Sequence, residues 1–266
     1  MTAPGGGRWN DLQTRVMSAV AMLVVGAVDI WLGGPVFLLL VAALTAVMIW
    51  ELCPMTRPDH GRDAVWTALI ALAAVIGALT FDGRYAQLLL FIVPLAMLYP
   101  TVQGRLRYAI YAGLIVWAGY GLVTLRDAAG SIVIVWLVGV VITSDVLGYF
   151  AGRLLGGAKF WPAISPKKTW SGTVAGWIGA ALVGLGFVLL AGAGWGLVIL
   201  SPIVAFAGQM GDIAESWIKR RTGVKDSSAL IPGHGGVLDR FDALIFAVVA
   251  VMLLGLLGPL PIPTES

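Results

Sequence analysis

The chain has 266 residues, 59% of them hydrophobic and only 12% charged, about half the charged fraction of an average soluble domain. With a mean hydropathy of +0.92, this excludes a soluble enzyme, a disordered chain and a disulfide-stapled secreted domain, and leaves an integral membrane protein. The single cysteine, Cys53, allows no intrachain disulfide, Cys-based zinc site or iron–sulfur cluster, and the two histidines, His60 and His234, stand far apart in sequence, against a His-rich metal site.

A bilayer core needs about 20 apolar residues per helical span and satisfies no backbone polar group itself, so long apolar runs read as helices. In chain order they cover 16–32, 36–50, 64–80, 85–99, 108–125, 132–149, 173–191, 195–218 and 241–260. The first follows Arg8 and Arg15 as the core of a signal peptide would, but no small-x-small cleavage site follows it and Asp29 interrupts its end, so it is expected to be retained. At Gly33-Gly34-Pro35 a re-entrant hairpin is the alternative to two spans. Segment 1–130 offers generic spans, with Glu51 ending one of them, and is assigned no chemistry; segment 131–266 carries the polar loops. The expected fold is all-α: a polytopic integral membrane protein with about nine transmembrane helices.

Lys and Arg near span ends stay on the cytoplasmic side. With a cytoplasmic N-terminus, 15 of the 17 fall there: Arg8, Arg15, Arg57, Arg62, Arg105, Arg107, four within 151–172 and five within 219–240. Only Arg84 and Arg126 fall opposite. This orientation places both basic loops in the cytoplasm and Ser266 outside, in the cell's inner (plasma) membrane. The net charge of +3 and pI near 9.2 then reflect topology, and with no aromatic RNA-binding pattern or soluble basic domain they give no sign of nucleic-acid binding.

Ten of the 31 charged residues crowd into 212–242. Ionisable groups are costly in a bilayer and usually face a cavity or a partner, so such a cluster is a functional-site candidate. Asp212, Glu215, Ser216 and Lys219 recur at helical spacing and share one face. Snorkelling to the interface accounts for Lys219, Arg220 and Arg221 but less well for Asp212 and Glu215, which lie deeper. The loop 225–242 combines glycines, whose backbone can approach an anion, with basic residues and with aspartates able to hold a hard cation. That combination suggests phosphoryl chemistry. Asp239 and Asp242 would share a face at the start of the last helix, where capping is their innocent reading. Gly156-Gly157-Ala158-Lys159 lacks the spacing of a nucleotide-binding P-loop.

Ser216, Ile218, Lys219-Arg220, Lys225-Asp226, Ser228, Ile231-Pro232, His234-Gly235-Gly236, Asp239-Arg240 and Asp242 together resemble the signature of the phosphatidate cytidylyltransferase (CDP-diacylglycerol synthase) family. A second stretch is similar to that family's cytoplasmic segment: Asp145, Gly148-Tyr149, Gly152-Arg153 and Gly156, leading into Ser165-Pro166-Lys167-Lys168-Thr169-Trp170-Ser171-Gly172. Ser171 departs from the pattern, where an acidic or amide residue is commoner. The resemblance covers the C-terminal half, about 145–260.

The resemblance implies transfer of a cytidylyl group from CTP to phosphatidate, with Mg²⁺ (or Mn²⁺) as the metal, membrane lipid as the medium and a homodimer as the assembly. It implies metal binding by Asp212 and Asp239, to which Asp242 is added as a neighbour. Lys167, Lys168, Lys219 and Lys225 are the candidates for the triphosphate, with Asp145, Ser216 and Arg220 also placed at the CTP site. Arg153 and Arg240 are the candidates for the phosphatidate head group. His234, between glycines, suits phosphate hydrogen bonding, and Asp226 suits orienting Lys225 or Arg240. A phosphate monoester oxygen is already ionised at neutral pH, so the reaction needs no strong general base, which agrees with a chain so poor in histidine. Two rival readings are a related CTP-dependent lipid enzyme, such as an ether-lipid cytidylyltransferase or a polyprenol kinase, and an ion-coupled transporter built on Asp145, Asp212 and Glu215. Clustering of the charges on one side and the lack of an inverted repeat speak against the transporter.

Overall fold

The computed structural model describes residues 7–56, 61–83, 85–99 and 104–263. Arg57, His60, Arg84 and Ser266 lie outside the described residues, as do the side chains of Arg8 and Arg62. The described residues form nine α-helices in chain order: α1 (Gly7–Leu32), α2 (Gly34–Thr56), α3 (Gly61–Thr80), α4 (Ile92–Ala96), α5 (Arg105–Ala129), α6 (Ser131–Leu154), α7 (Trp170–Ala191), α8 (Gly196–Thr222) and α9 (Leu238–Gly255). Among the described residues, all of these except α4 and α9 are long and apolar enough to cross a membrane, which makes seven. Helix α9 matches a minimal span in length but starts with Asp239, Arg240 and Asp242. Gly33 and Gly34 both take positive φ between α1 and α2, so the break there joins two separate helices.

Two features depart from the expected pattern. No continuous helix forms over 85–99: a 3-10 helix, Ala86–Phe91, runs into the five-residue α4, which contains Pro94. Together they rise about 20 Å, short of a bilayer core. The segment nevertheless runs antiparallel along α5, with Gln87 Nε2 donating to the Tyr120 hydroxyl at 3.0 Å, Phe91 edge-on to Trp117 at 5.9 Å and Pro94 beside Gly113. The second departure is a β-hairpin, β1 (Lys159–Trp161) with β2 (Ser165–Thr169), paired antiparallel through Lys159 with Thr169 and Trp161 with Ser165. A three-residue strand lies below what alternation of side chains can reveal.

Fully buried side chains from α2 (Ile49, Leu52), α5 (Ile115, Val116), α6 (Trp136, Leu137, Val140), α8 (Leu197, Val204) and α9 (Leu238, Val248, Val251) form one interior. Helices α6 and α7 approach closely because glycines line the contact: a Cβ on Gly172 would lie 2.5 Å from the carbonyl oxygen of Gly148. Small residues that let backbones meet are the usual basis of helix association in lipid. Helix α1 packs lightly, and its apolar side chains are mostly exposed, as suits a lipid-facing helix.

The two motif stretches share one end of the bundle. Arg107, at the start of α5, and Arg221, at the end of α8, both lie against the ring of Trp217, at 5.0 and 4.7 Å. At the far end, the chain after α9 returns to the α7–α8 junction, where Gly194 N–H donates to the Pro261 carbonyl at 2.9 Å. Arg126, at the end of α5, donates to the Ile30 carbonyl at 2.9 Å and stacks on Phe37.

Candidate active site

The hairpin delivers the first basic residue. Along β2 Lys167 is exposed and Lys168 half-buried. Lys168 Nζ lies 2.6 Å from Asp212 Oδ2 and donates to the Gln209 carbonyl at 3.3 Å. Thr169 fixes the junction with α7 as its N-cap, accepting from Gly172 N–H at 3.2 Å. Ser171 bonds to Thr169 and to the Gly156 carbonyl, so the side chain that departs from the family pattern pins the hairpin to its helix. Below them Gln209 joins three helices, donating to Ser144 Oγ on α6 and the Thr173 carbonyl on α7 while accepting from Trp177.

The polar face of α8 holds the acidic cluster. Ser216 Oγ donates to Asp212 Oδ1 at 3.3 Å. Lys219 Nζ sits 2.6 Å from both Glu215 Oε2 and Asp239 Oδ1, which ties α8 to α9. Glu215 is buried, and its Oε1 has no partner among the described residues. The hydroxyl of Tyr111, on α5, is likewise buried and unpartnered among them, and the charges of Glu215, Asp242 and Asp212 act on it. Asp242 is buried and accepts from Ala243 N–H at 2.7 Å. Asp145 lies in the field of Asp212, Lys168 and Arg240.

The loop after α8 folds back over this cluster. Gly233 and Gly235 adopt positive φ, closing a tight turn in which Ile231 N–H donates to the Gly235 carbonyl at 2.8 Å. His234 Nδ1 lies 2.7 Å from Ser18 Oγ on α1, and its carbonyl accepts from Arg240 Nε at 3.1 Å. Asp239 is nearly saturated: besides Lys219, its carboxylate accepts from the Ser227 N–H, the Ser227 hydroxyl and the Gly236 N–H. Burial alone would raise the pKa of Asp239, but Lys219 and these backbone donors hold its carboxyl below the ordinary value.

Lys168, Asp145, Asp212, Ser216, Lys219, Asp239, Asp242 and Arg240 therefore gather in one connected cluster. Lys225, Asp226 and Arg220 lie at its edge, exposed. Arg153 stays local, its Nη1 donating to the Tyr149 hydroxyl at 2.7 Å. Among the described residues no three His, Cys, Asp or Glu side chains are grouped so as to hold a metal by themselves, so Asp212, Asp239 and Asp242 do not form a closed cage. Sequence reasoning missed Glu51, Gln209 and Tyr111. Glu51, buried at the end of α2, accepts from Ser227 Oγ, Ser228 Oγ, Val237 N–H and Leu238 N–H.

The chain is thus a polytopic helix bundle with acidic and basic side chains interleaved at one end. The model of the cytidylyltransferase family matches residues 13–257, and the chain belongs to that family. The phosphatidate cytidylyltransferase of Brucella abortus biovar 1 is 36% identical over 259 residues, covering 92% of this chain and 94% of that protein. That of Staphylococcus saprophyticus is 31% identical over 264 residues, covering 91% and 98%. That of Helicobacter pylori is 40% identical over 124 residues, covering 46% of each.

Proposed function

We propose that the chain transfers the cytidylyl group of CTP to phosphatidate, releasing pyrophosphate and leaving CDP-diacylglycerol in the membrane for phospholipid biosynthesis. Similarity along nearly the whole chain to proteins named for this reaction carries the reading. The test is transfer of radiolabel from CTP into lipid by the purified protein in detergent, with phosphatidate present or absent; label that does not depend on phosphatidate overturns it.

In this reaction a phosphatidate oxygen bonds to the α-phosphorus of CTP as the bond to the β-phosphate oxygen breaks, and no proton need be removed from the nucleophile. The task is to bring two polyanions together and to stabilise charge on the leaving pyrophosphate. Lys168 and Lys219 hold inner positions for that purpose, with Lys167, Lys225 and Arg220 at the rim of the CTP site beside Asp145 and Ser216. Arg240 and Arg153 receive the phosphatidate head group. His234, fixed through Nδ1 by Ser18, offers its other ring nitrogen to phosphate. Asp226 orients Lys225 or Arg240.

The acidic excess suits a divalent cation. Among the described residues Asp145, Asp212, Glu215, Asp239 and Asp242 face Lys168, Lys219 and Arg240, five acidic side chains against three cations, and Glu215 Oε1 is buried with no partner among them. Mg²⁺ takes one or two carboxylates plus substrate phosphates, so an open set suffices. Asp212 and Asp239 would hold it, with Asp242 behind them; once bound, it supplies charge neutralisation at the phosphates. Mn²⁺ fits the same donors.

Nine passes with a cytoplasmic N-terminus fit the charge bias. The antiparallel course of 86–96 along α5 supports this count, as does the placement of Pro261 opposite the motif loops. The assembly is a homodimer in the inner membrane.

A further inference from the structure

Glu51 is a buried carboxylate far from any motif, yet it accepts hydrogen bonds from four donors in the catalytic loop: the hydroxyls of Ser228, at 2.6 Å, and Ser227, at 3.1 Å, and the N–H groups of Val237, at 2.9 Å, and Leu238, at 2.6 Å. The last two belong to the start of α9, whose first amides lack intrahelical acceptors. Helix α9 has no side-chain cap of its own. Glu51 supplies one from α2, with its negative charge at the positive end of the helix dipole. Gly236 permits this approach, since a Cβ there would lie 2.5 and 2.7 Å from the two Glu51 oxygens.

The Ser227 hydroxyl lies 3.1 Å from Glu51 Oε2 and 3.0 Å from Asp239 Oδ2. A hydroxyl has one proton to give, so it can bond fully to only one of them. The hydroxyl is therefore shared between the cap on α9 and Asp239. Without Glu51, Ser227 and the α9 amides are left to find other acceptors.

We propose that Glu51 is a positioning residue for cytidylyl transfer: it caps α9, holds loop 227–238 in place and, through Ser227, poises Asp239. This rests on the role proposed above for that loop and Asp239. It makes the N-terminal half, which carries no motif, part of the working site.

The test uses the full-length protein in detergent with Glu51→Gln, Glu51→Asp, Ser227→Ala, the Glu51→Gln/Ser227→Ala pair and, in parallel, Asp239→Asn. Glu51→Gln keeps the volume but points an amide donor at backbone donors. It should lower kcat by about tenfold or more while the KM for CTP moves less than about threefold. Glu51→Asp should recover part of the loss, and Ser227→Ala should cost less in the Glu51→Gln background than alone. Hydrogen exchange should quicken at Val237 and Leu238 but not through α2 and α5. Turnover above a third of wild type, loss of protection throughout the bundle, or independent multiplication of the two losses overturns the proposal. If Glu51→Gln does not extract folded, Glu51→Asp takes its place: a carboxylate drawn back by one methylene should still quicken exchange at Val237 and Leu238, and unchanged exchange there overturns the proposal. An active Asp239→Asn alongside an inactive Glu51→Gln would sink the role given to Asp239 and the poising through Ser227 with it, leaving only the cap on α9 and the hold on the loop. Should wild type make no CDP-diacylglycerol, the activity reading fails and the exchange data alone judge Glu51.

Discussion

Lys168, on a five-residue strand, and Asp212, on the polar face of α8, meet at 2.6 Å. The contact joins the two stretches of sequence that resemble the family and closes one wall of the site. Both side chains remain partly exposed, 23% and 34%, so as a stability device the pair is worth only about 0–1 kcal/mol. Its value lies in positioning.

Lys168→Met should therefore leave thermal stability in detergent nearly unchanged while lowering kcat/KM for CTP by more than about tenfold, since a charged contact to phosphate contributes about 1.5–3 kcal/mol. A large fall in melting temperature with unchanged CTP kinetics would reassign Lys168 to structure.

Asp212→Asn and Asp239→Asn each remove one negative charge at nearly constant volume. Both should abolish turnover in protein that still extracts and elutes as wild type does, and a chelator added to wild type should do the same until Mg²⁺ is restored. Activity within about tenfold of wild type, a loss below about 1.4 kcal/mol of transition-state stabilisation, would remove that aspartate from the metal site.

Lys225 and Arg240 should separate the two substrates. Lys225→Met should raise the KM for CTP or lower kcat, whereas Arg240→Met should weaken the dependence on phosphatidate mole fraction in mixed micelles. If Arg240→Met alters only the CTP parameters, Arg240 belongs with the nucleotide.

Topology has its own test. Reporter fusions after Gly157 and at the C-terminus should report opposite sides of the membrane, and agreement between the two would overturn the nine-pass arrangement.

Composition made the helical membrane fold legible, and charge density within 212–242 marked most of the residues that converge, though not Asp145 and Lys168; it also marked Arg220, Lys225 and Asp226, which stay at the exposed edge. Within 85–99 hydropathy does not distinguish one continuous helix from the 3-10 run Ala86–Phe91 followed by the short α4. Glu51 escaped notice for a different reason. An acid between Trp50 and Leu52 meets the same cost criterion that singled out Asp212, but its partners lie as many as 187 residues away, and no local periodicity reports such a contact. Gln209 and Tyr111 carry no formal charge, so in apolar helices nothing marked them.

If Lys168 and Lys219 take the CTP phosphates as proposed, their pairing with Asp212 and Asp239 would make nucleotide entry an exchange of partners. A free polyphosphate that drew off both lysines would leave Asp212, Asp239 and Glu215 without their cations, and a free cation that took Asp212 and Asp239 would leave Lys168 without its ion-pair partner and Lys219 with Glu215 alone. A metal–nucleotide complex, bringing both signs together, leaves neither set orphaned. On that reading the two ion pairs would favour the complex over either component alone.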